Sequence, residues 1–154
     1  VKVAAGLRQD APRALKSAAH LRARISWHQY LSGAHMNTSI VRLDGTLDAD
    51  VSEPPAERLI GGTPQLRVQN YYSDGTQQFF AGRWAATRGK WRVRYTENEL
   101  CVMTAGRVVI ESASGERSVF GPGDAFVVPA GFSGTWEVLE DCAKIYAIFE
   151  ATHT

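Results

Sequence analysis

The stretch Gly121-Pro-Gly-Asp-Ala-Phe-Val-Val-Pro-Ala-Gly131 decides the fold. Four residues, Ala125–Val128, stand between two turn signals. Before them, Pro122 fixes its own backbone angle, Gly123 tolerates a positive φ, and Asp124 can bond its own turn. After them, Pro129-Ala130-Gly131 repeats the punctuation. A segment this short and apolar, closed at both ends, reads as one buried strand of an antiparallel sheet rather than a piece of helix. Asp124 is expected to cap its turn through backbone bonds.

The same pattern extends in both directions. Downstream, Thr135–Leu139 and Ala143–Phe149 are expected to be two further strands. Upstream, Arg117–Phe120 follows a hairpin turn at Ser114-Gly115. Before that, Glu99–Thr104 and Arg107–Glu111 read as a pair turned back on itself at Gly106. Lys90–Thr96 carries Trp91, Val93 and Tyr95 on one face and Arg92 and Arg94 on the other. Gln65–Tyr72 and Gln77–Ala85 form a hairpin, with Gly75 of Ser73-Asp74-Gly75 expected to take the positive φ. Nine or ten short strands without strand–helix alternation predict an all-β jelly roll, two antiparallel sheets around a central pocket.

The rest of the chain bounds the function. At 154 residues it suits one domain with a core, and 17 basic against 16 acidic residues leave no field for nucleic acid. No apolar run is long enough for a membrane helix. Two cysteines, Cys101 and Cys142, do not make a disulfide framework, and a cytoplasmic setting is expected. Residues 1–35 are Arg- and Ala-rich and are expected to lie outside the fold, to form a helix packed on the barrel, or to act in targeting. Residues 36–64 read as a loop-rich lead-in with an edge strand at Ile40–Leu43 and a hinge or turn at Gly61-Gly62-Thr63-Pro64. The barrel is assigned to 65–150 and a tail to 151–154.

Glu99 to Gly106 followed by Pro-Gly-Asp-x4-Pro-x-Gly (Pro122 to Gly131) resembles the two-part cupin signature. Gly82 and Trp84, the run Gly89 to Glu99, Gly134 to Val138, and Lys144 with Tyr146 resemble one branch of it. These are the small single-domain cupins related to the ureidoglycine aminohydrolase cupin domain and to the ethanolamine-utilisation cupin. The resemblance implies an RmlC-like double-sheet barrel (a double-stranded β-helix) and a homodimer built through the sheets. Such cupins hold a metal on a His pair, a Glu and a later His. Here either Arg92 and Arg94 or Val93 and Tyr95 stand where the pair belongs, and Gly134 stands where the later histidine belongs. The four histidines are His20, His28, His35 and His153, all outside the barrel segment. No histidine-bound metal is therefore expected.

Glu99 is the remaining member of the ligand pattern. It is expected either to face the pocket as acid/base or anchor, or to pair with Lys144, Arg92 or Arg94 and close the barrel. Tyr95 and Lys144 are the other candidate catalytic groups. Trp91, Met103, Trp136 and Tyr146 are the candidate pocket wall. Lys144 shares a face with Tyr146; periodicity favours the outer face, because Ala143, Ile145, Ala147 and Phe149 are the better core set, whereas the resemblance favours the inner. The expected function is binding or conversion of a small polar metabolite in the barrel. The alternatives are a metal-dependent aminohydrolase or isomerase and a non-catalytic accessory cupin.

Overall fold

The computed structural model describes residues 39–151. Nine strands are present among them, with no helix. They are β1 (Asp50–Ser52), β2 (Leu59–Gly62), β3 (Leu66–Ser73), β4 (Phe79–Ala86), β5 (Gly89–Arg94), β6 (Asn98–Ser112), β7 (Arg117–Phe120), β8 (Ala125–Val128) and β9 (Ser133–Phe149). Every ladder is antiparallel. The extension 1–35 and the four histidines lie outside the described residues.

β6 and β9 are the spine. They pair along their length, from Asn98↔Phe149 to Ser112↔Gly134, with register shifts between Met103 and Val108. The spine bends there and serves two sheets. On one side of the bend, β1, β3 and β4 add to the second half of β9, and β8 adds to the first half of β6. On the other side, β2 and β5 add to the first half of β9, and β7 adds to the second half of β6. The result is the expected jelly roll. Its core holds Trp91, Cys101, Met103, Val108, Val128, Trp136 and Val138, all buried.

The bend changes the sequence reading in one respect. The chain does not turn back at Gly106, so 99–104 and 107–111 are halves of one 15-residue strand. Likewise 135–139 and 143–149 belong to one 17-residue strand. Gly106 has φ 72°, and a Cβ there would sit 2.3 Å from the Asp141 carbonyl oxygen. Only glycine fits that crossing. Gly106→Ala is expected to cost about 1–3 kcal/mol or more, read as a lower urea midpoint; an unchanged midpoint would mean that the spine does not cross so closely.

Other local readings also shift. No strand forms at Ile40–Leu43, and 61–62 belong to β2 rather than a turn. Gly62 lies against Gly89, where a Cβ would approach the Gly89 Cα at 2.9 Å. Backbone proximity, not a hinge, explains that glycine pair. The β8 strand is half exposed rather than buried, with Val127 at 60% exposure. Asp124 does cap its turn, accepting from the Gly121 N–H at 2.8 Å.

The β3–β4 turn is wider than expected, and Gln77, not Gly75, takes the positive φ. Asp74 organises it, accepting from the N–H groups of Gln78 and Phe79 at 2.8 and 2.9 Å and from the Thr76 hydroxyl. Burial pushes the Asp74 carboxyl up, but the bonds from Phe79, Thr76 and Gln78 outweigh it and hold it at about 2, against an ordinary 3.8. A depressed carboxylate adds stability above its unfolded pKa and loses it as pH falls through the folded one. Wild-type melting temperature is therefore expected to fall between about pH 4 and pH 2 more steeply than that of Asp74→Asn; parallel curves would contradict this.

Candidate functional site

The space between the sheets is a cavity of about 160 Å³, similar in size to an engineered cavity that admits benzene. β1 pairs with the edge of one sheet and β2 with the edge of the other, so residues 53–58 strap across the opening. Glu53, Pro54, Pro55 and Arg58 line the cavity from that strap, and Ser52 lines it from β1. Two residues of it turn tightly, the Arg58 N–H donating to the Pro55 carbonyl at 2.8 Å.

At the floor, Lys144 donates to Glu99 Oε1 at 2.8 Å. Glu99 is 5% exposed and Lys144 4%. Strand parity explains the meeting. Glu99, Cys101 and Met103 alternate inward along β6, and Lys144 and Tyr146 alternate inward along the adjacent stretch of β9. The ammonium also reaches Cys101 Sγ at 3.3 Å. It lies over two indole faces, 4.9 Å from the Trp84 centroid and 4.5 Å from that of Trp136. Burial alone would lower the Lys144 pKa. The charge of Glu99 and the hydrogen bonds to Glu99 and Cys101 reverse this and raise it, so the group stays an ammonium.

Tyr95 stands beside Glu99. Burial first, then the charge of Glu99, hold its phenol well above its ordinary value. It is therefore a neutral donor at physiological pH, not a phenolate. Cys101 is fully buried, and burial pushes its thiol up to about 11; a neutral thiol is a poor nucleophile. Cys101 and Cys142 are both free and buried, without a bridge.

Of the residues singled out from the sequence, Glu99, Tyr95, Lys144, Trp91 and Trp136 line the cavity together. Met103 and Tyr146 do not. Met103 is core, 1% exposed, beneath the β6–β9 ladder. Tyr146 packs in the smaller cluster with Val68, Phe80 and Ile148, over Gly82, and its hydroxyl bonds Asn70 at 3.0 Å. The outer-face reading of Lys144 is likewise corrected. Cys142, Lys144, Tyr146 and Ile148 are the buried set of the second half of β9, and the apolar alternates there face outward. Trp84 and the buried Glu97 also line the cavity and were not singled out for it, and Arg92 and Arg94, placed on the face opposite Trp91 and Tyr95 in the sequence, line it too. Trp84 earns its place as the cross-strand partner of Lys144, which only the β4–β9 register reveals.

The cavity donors among the described residues do not make a transition-metal set. Among the described residues, no three of His, Cys, Asp and Glu come together to hold one. Glu99, the one residue retained from the cupin ligand pattern, gives an oxygen to an ammonium, which repels a second cation.

Two sheets on a shared bent spine, enclosing a lined cavity, make this a jelly-roll barrel of the kind cupins have. Residues 74–146 match the family model of the EutQ-like cupin domain. A protein of unknown function from Pseudomonas syringae pv. tomato, of the DUF861 family, superposes with a TM-score of 0.60 at 23% identity, over 72% of this chain and 45% of that one. The EutQ protein of Clostridium difficile gives 0.52 at 13% identity, over 57% and 64%. A Thermotoga maritima protein titled a predicted oxalate decarboxylase gives 0.55 at 15%, over 73% and 100%. The chain thus spans about half the length of the Pseudomonas protein, and these likenesses concern the fold. No curated protein matches.

Proposed function

We propose that the cavity binds a small polar metabolite, with Glu99 as anchor or proton acceptor and Tyr95 as proton donor, and with no metal held by histidine. The observation that carries this is the Glu99–Lys144 pair at the floor of an aromatic-walled cavity. Burying two charges is costly, and an apolar pair of similar volume would stabilise the barrel as well or better. A charged pair facing a cavity is better explained by a ligand than by stability. The fold alone does not choose between an enzyme and a binding protein; Glu99 and Tyr95 side by side favour proton transfer. A metal-dependent aminohydrolase, the activity that the sequence resemblance to the ureidoglycine aminohydrolase cupin domain implies, fits this donor set poorly.

The test is a thermal-shift screen of small amino and hydroxy acids on wild type and Glu99→Gln, with elemental analysis of both. The expected result is a ligand-induced shift in wild type that shrinks in the variant, without stoichiometric metal. Stoichiometric manganese, zinc, iron or nickel that falls in Glu99→Gln would restore the metalloenzyme reading.

We also propose that a second copy of the chain covers the outer face of the β4–β9–β6–β8 sheet. Phe79 and Phe149, Leu100 and Val127, and Ile145 and Val102 are cross-strand pairs there. Leu100 is 45% and Phe149 49% exposed. A contiguous apolar sheet face is characteristic of an interface. Sedimentation is expected to give a dimer that Val127→Asp dissociates; a wild-type monomer would contradict it.

A further inference from the structure

We infer that the ligand of this cavity carries an oxyanion group, held at the cavity rim by Arg58, Arg92 and Arg94. This rests on the cavity being a metabolite site and specifies the class of metabolite.

The backbone brings the three arginines together. Arg58 ends the strap, and its carbonyl accepts from the Arg92 N–H at 2.8 Å. Arg94 lies two residues further along β5, on the same side of the strand as Arg92. All three line the cavity. Arg92 and Arg94 are exposed and stand at its rim, and Arg58 is half-buried beside them. None of the three enters an ion pair among the described residues.

The acids of the same lining do not answer them. Glu99 is held by Lys144 at the floor. Glu97 is buried and turns to its own loop, where it accepts from the Thr96 N–H and hydroxyl at 2.8 and 3.0 Å. Glu53 is exposed and pairs with none of the arginines. The lining thus sets Arg58, Arg92, Arg94 and Lys144 against Glu53, Glu97 and Glu99, with the excess of positive charge at the rim.

Neighbouring guanidinium groups repel one another. Each also presents a planar fork of N–H donors that matches two oxygens of a carboxylate or a phosphate. An oxyanion at the rim satisfies both the charge and the donors. An ammonium ligand would pass three like charges and then find Glu99 and both indole faces already taken by Lys144. Below the rim, about 160 Å³ admits a part of roughly benzene size. Glu99 and Tyr95, an acceptor and a donor in that space, suit hydroxyl groups. The ligand class is a small hydroxylated acid or phosphate ester, oxyanion outward and hydroxyls inward.

The test uses four probes on one carbon skeleton: glycerate, glycerol 3-phosphate, glycerol and 3-amino-1,2-propanediol. Calorimetry measures their binding to the full chain, to Arg58→Gln and to the double variant Arg92→Gln with Arg94→Gln. Arg117→Gln, on β7 and outside the lining, is the control. At least one oxyanion is expected to bind wild type about tenfold more tightly than glycerol or the amine. Each rim variant is expected to weaken it about tenfold, with Arg117→Gln unchanged. The tighter of the two oxyanions identifies the source, carboxylate or phosphate. Glycerol or the amine binding as tightly as either oxyanion would overturn the inference and leave the metabolite site standing. Oxyanion binding untouched by both rim variants, or weakened equally by Arg117→Gln, would also overturn it. Failure of all four probes would overturn the inference, and the metabolite reading falls with it only if the broader thermal-shift screen is blank as well.

Discussion

Lys144→Met, made alone, is expected to lower the stability of the barrel by about 3–5 kcal/mol, because it strands the Glu99 carboxylate inside. Glu99 is 5% exposed, and Lys144 is the partner bonded to its Oε1. The substitution keeps an unbranched apolar stem of similar length, so the loss is electrostatic rather than a cavity. Glu99→Gln with Lys144→Met removes both charges and is expected to recover most of that loss. The pair's coupling appears as the difference between the double variant and the sum of the singles. Urea midpoints with unchanged slopes would measure it. A single-variant cost under about 1 kcal/mol, typical of exposed pairs, would mean that the ammonium is not inside. The pair also sets an alkaline limit. The Lys144 pKa is raised, so its stabilisation is complete below the unfolded value of 10.5 and is lost as pH rises through the folded one.

Trp136→Ala is expected to cost a similar amount, about 3–5 kcal/mol. The residue sits where β5, β6 and β9 meet, opposite Trp91 on one side and Ile110 on the other. Its ring packs edge-on to Trp84 at 5.6 Å and tilted against Phe126 at 6.2 Å. It also bears the Lys144 ammonium at 4.5 Å. Truncation opens a large void in the core and removes one face from a buried cation. Trp136→Phe keeps most of the packing and is expected to cost less than half as much. Equal losses for Ala and Phe in chemical denaturation would show that something other than ring packing holds this position.

Much of this architecture was legible because short strands are punctuated locally. β7 and β8 fall at the residues that Gly, Pro and Asp mark out, since each turn is decided within three or four residues. The continuity of β6 and β9 was not legible. Gly106 signals a departure from ordinary backbone, but whether it makes a turn or a bend depends on Asp141, thirty-five positions away. Lys144 shows a different limit. Hydrophobic alternation assigns the apolar side of a strand to the core, yet β9 has an apolar set on its outer side too: Ala143, Ile145, Ala147 and Phe149. With both faces apolar, parity cannot be read from hydropathy, and the lone charge points inward. The inward set Glu99, Cys101 and Met103 was accessible through the resemblance, which turns Glu99 toward the cavity, and not through hydropathy, because Leu100 and Val102 make the outer side of β6 apolar too. Tyr146 failed as a cavity residue for a geometric reason: Gly82 across the ladder leaves room for its ring, which turns to Asn70 instead.

A buried, charged Lys144 held by Glu99 is the centre of the proposed site. Nitrogen-15 NMR of the lysine side chains, with Lys144→Gln to assign the signal, tests this directly. The predicted result is a hydrogen-exchange-protected ammonium resonance that stays charged beyond pH 10.5 and shifts in Glu99→Gln. A rapidly exchanging Lys144 indistinguishable from surface lysines, or one that titrates as a neutral amine below that pH, would contradict it.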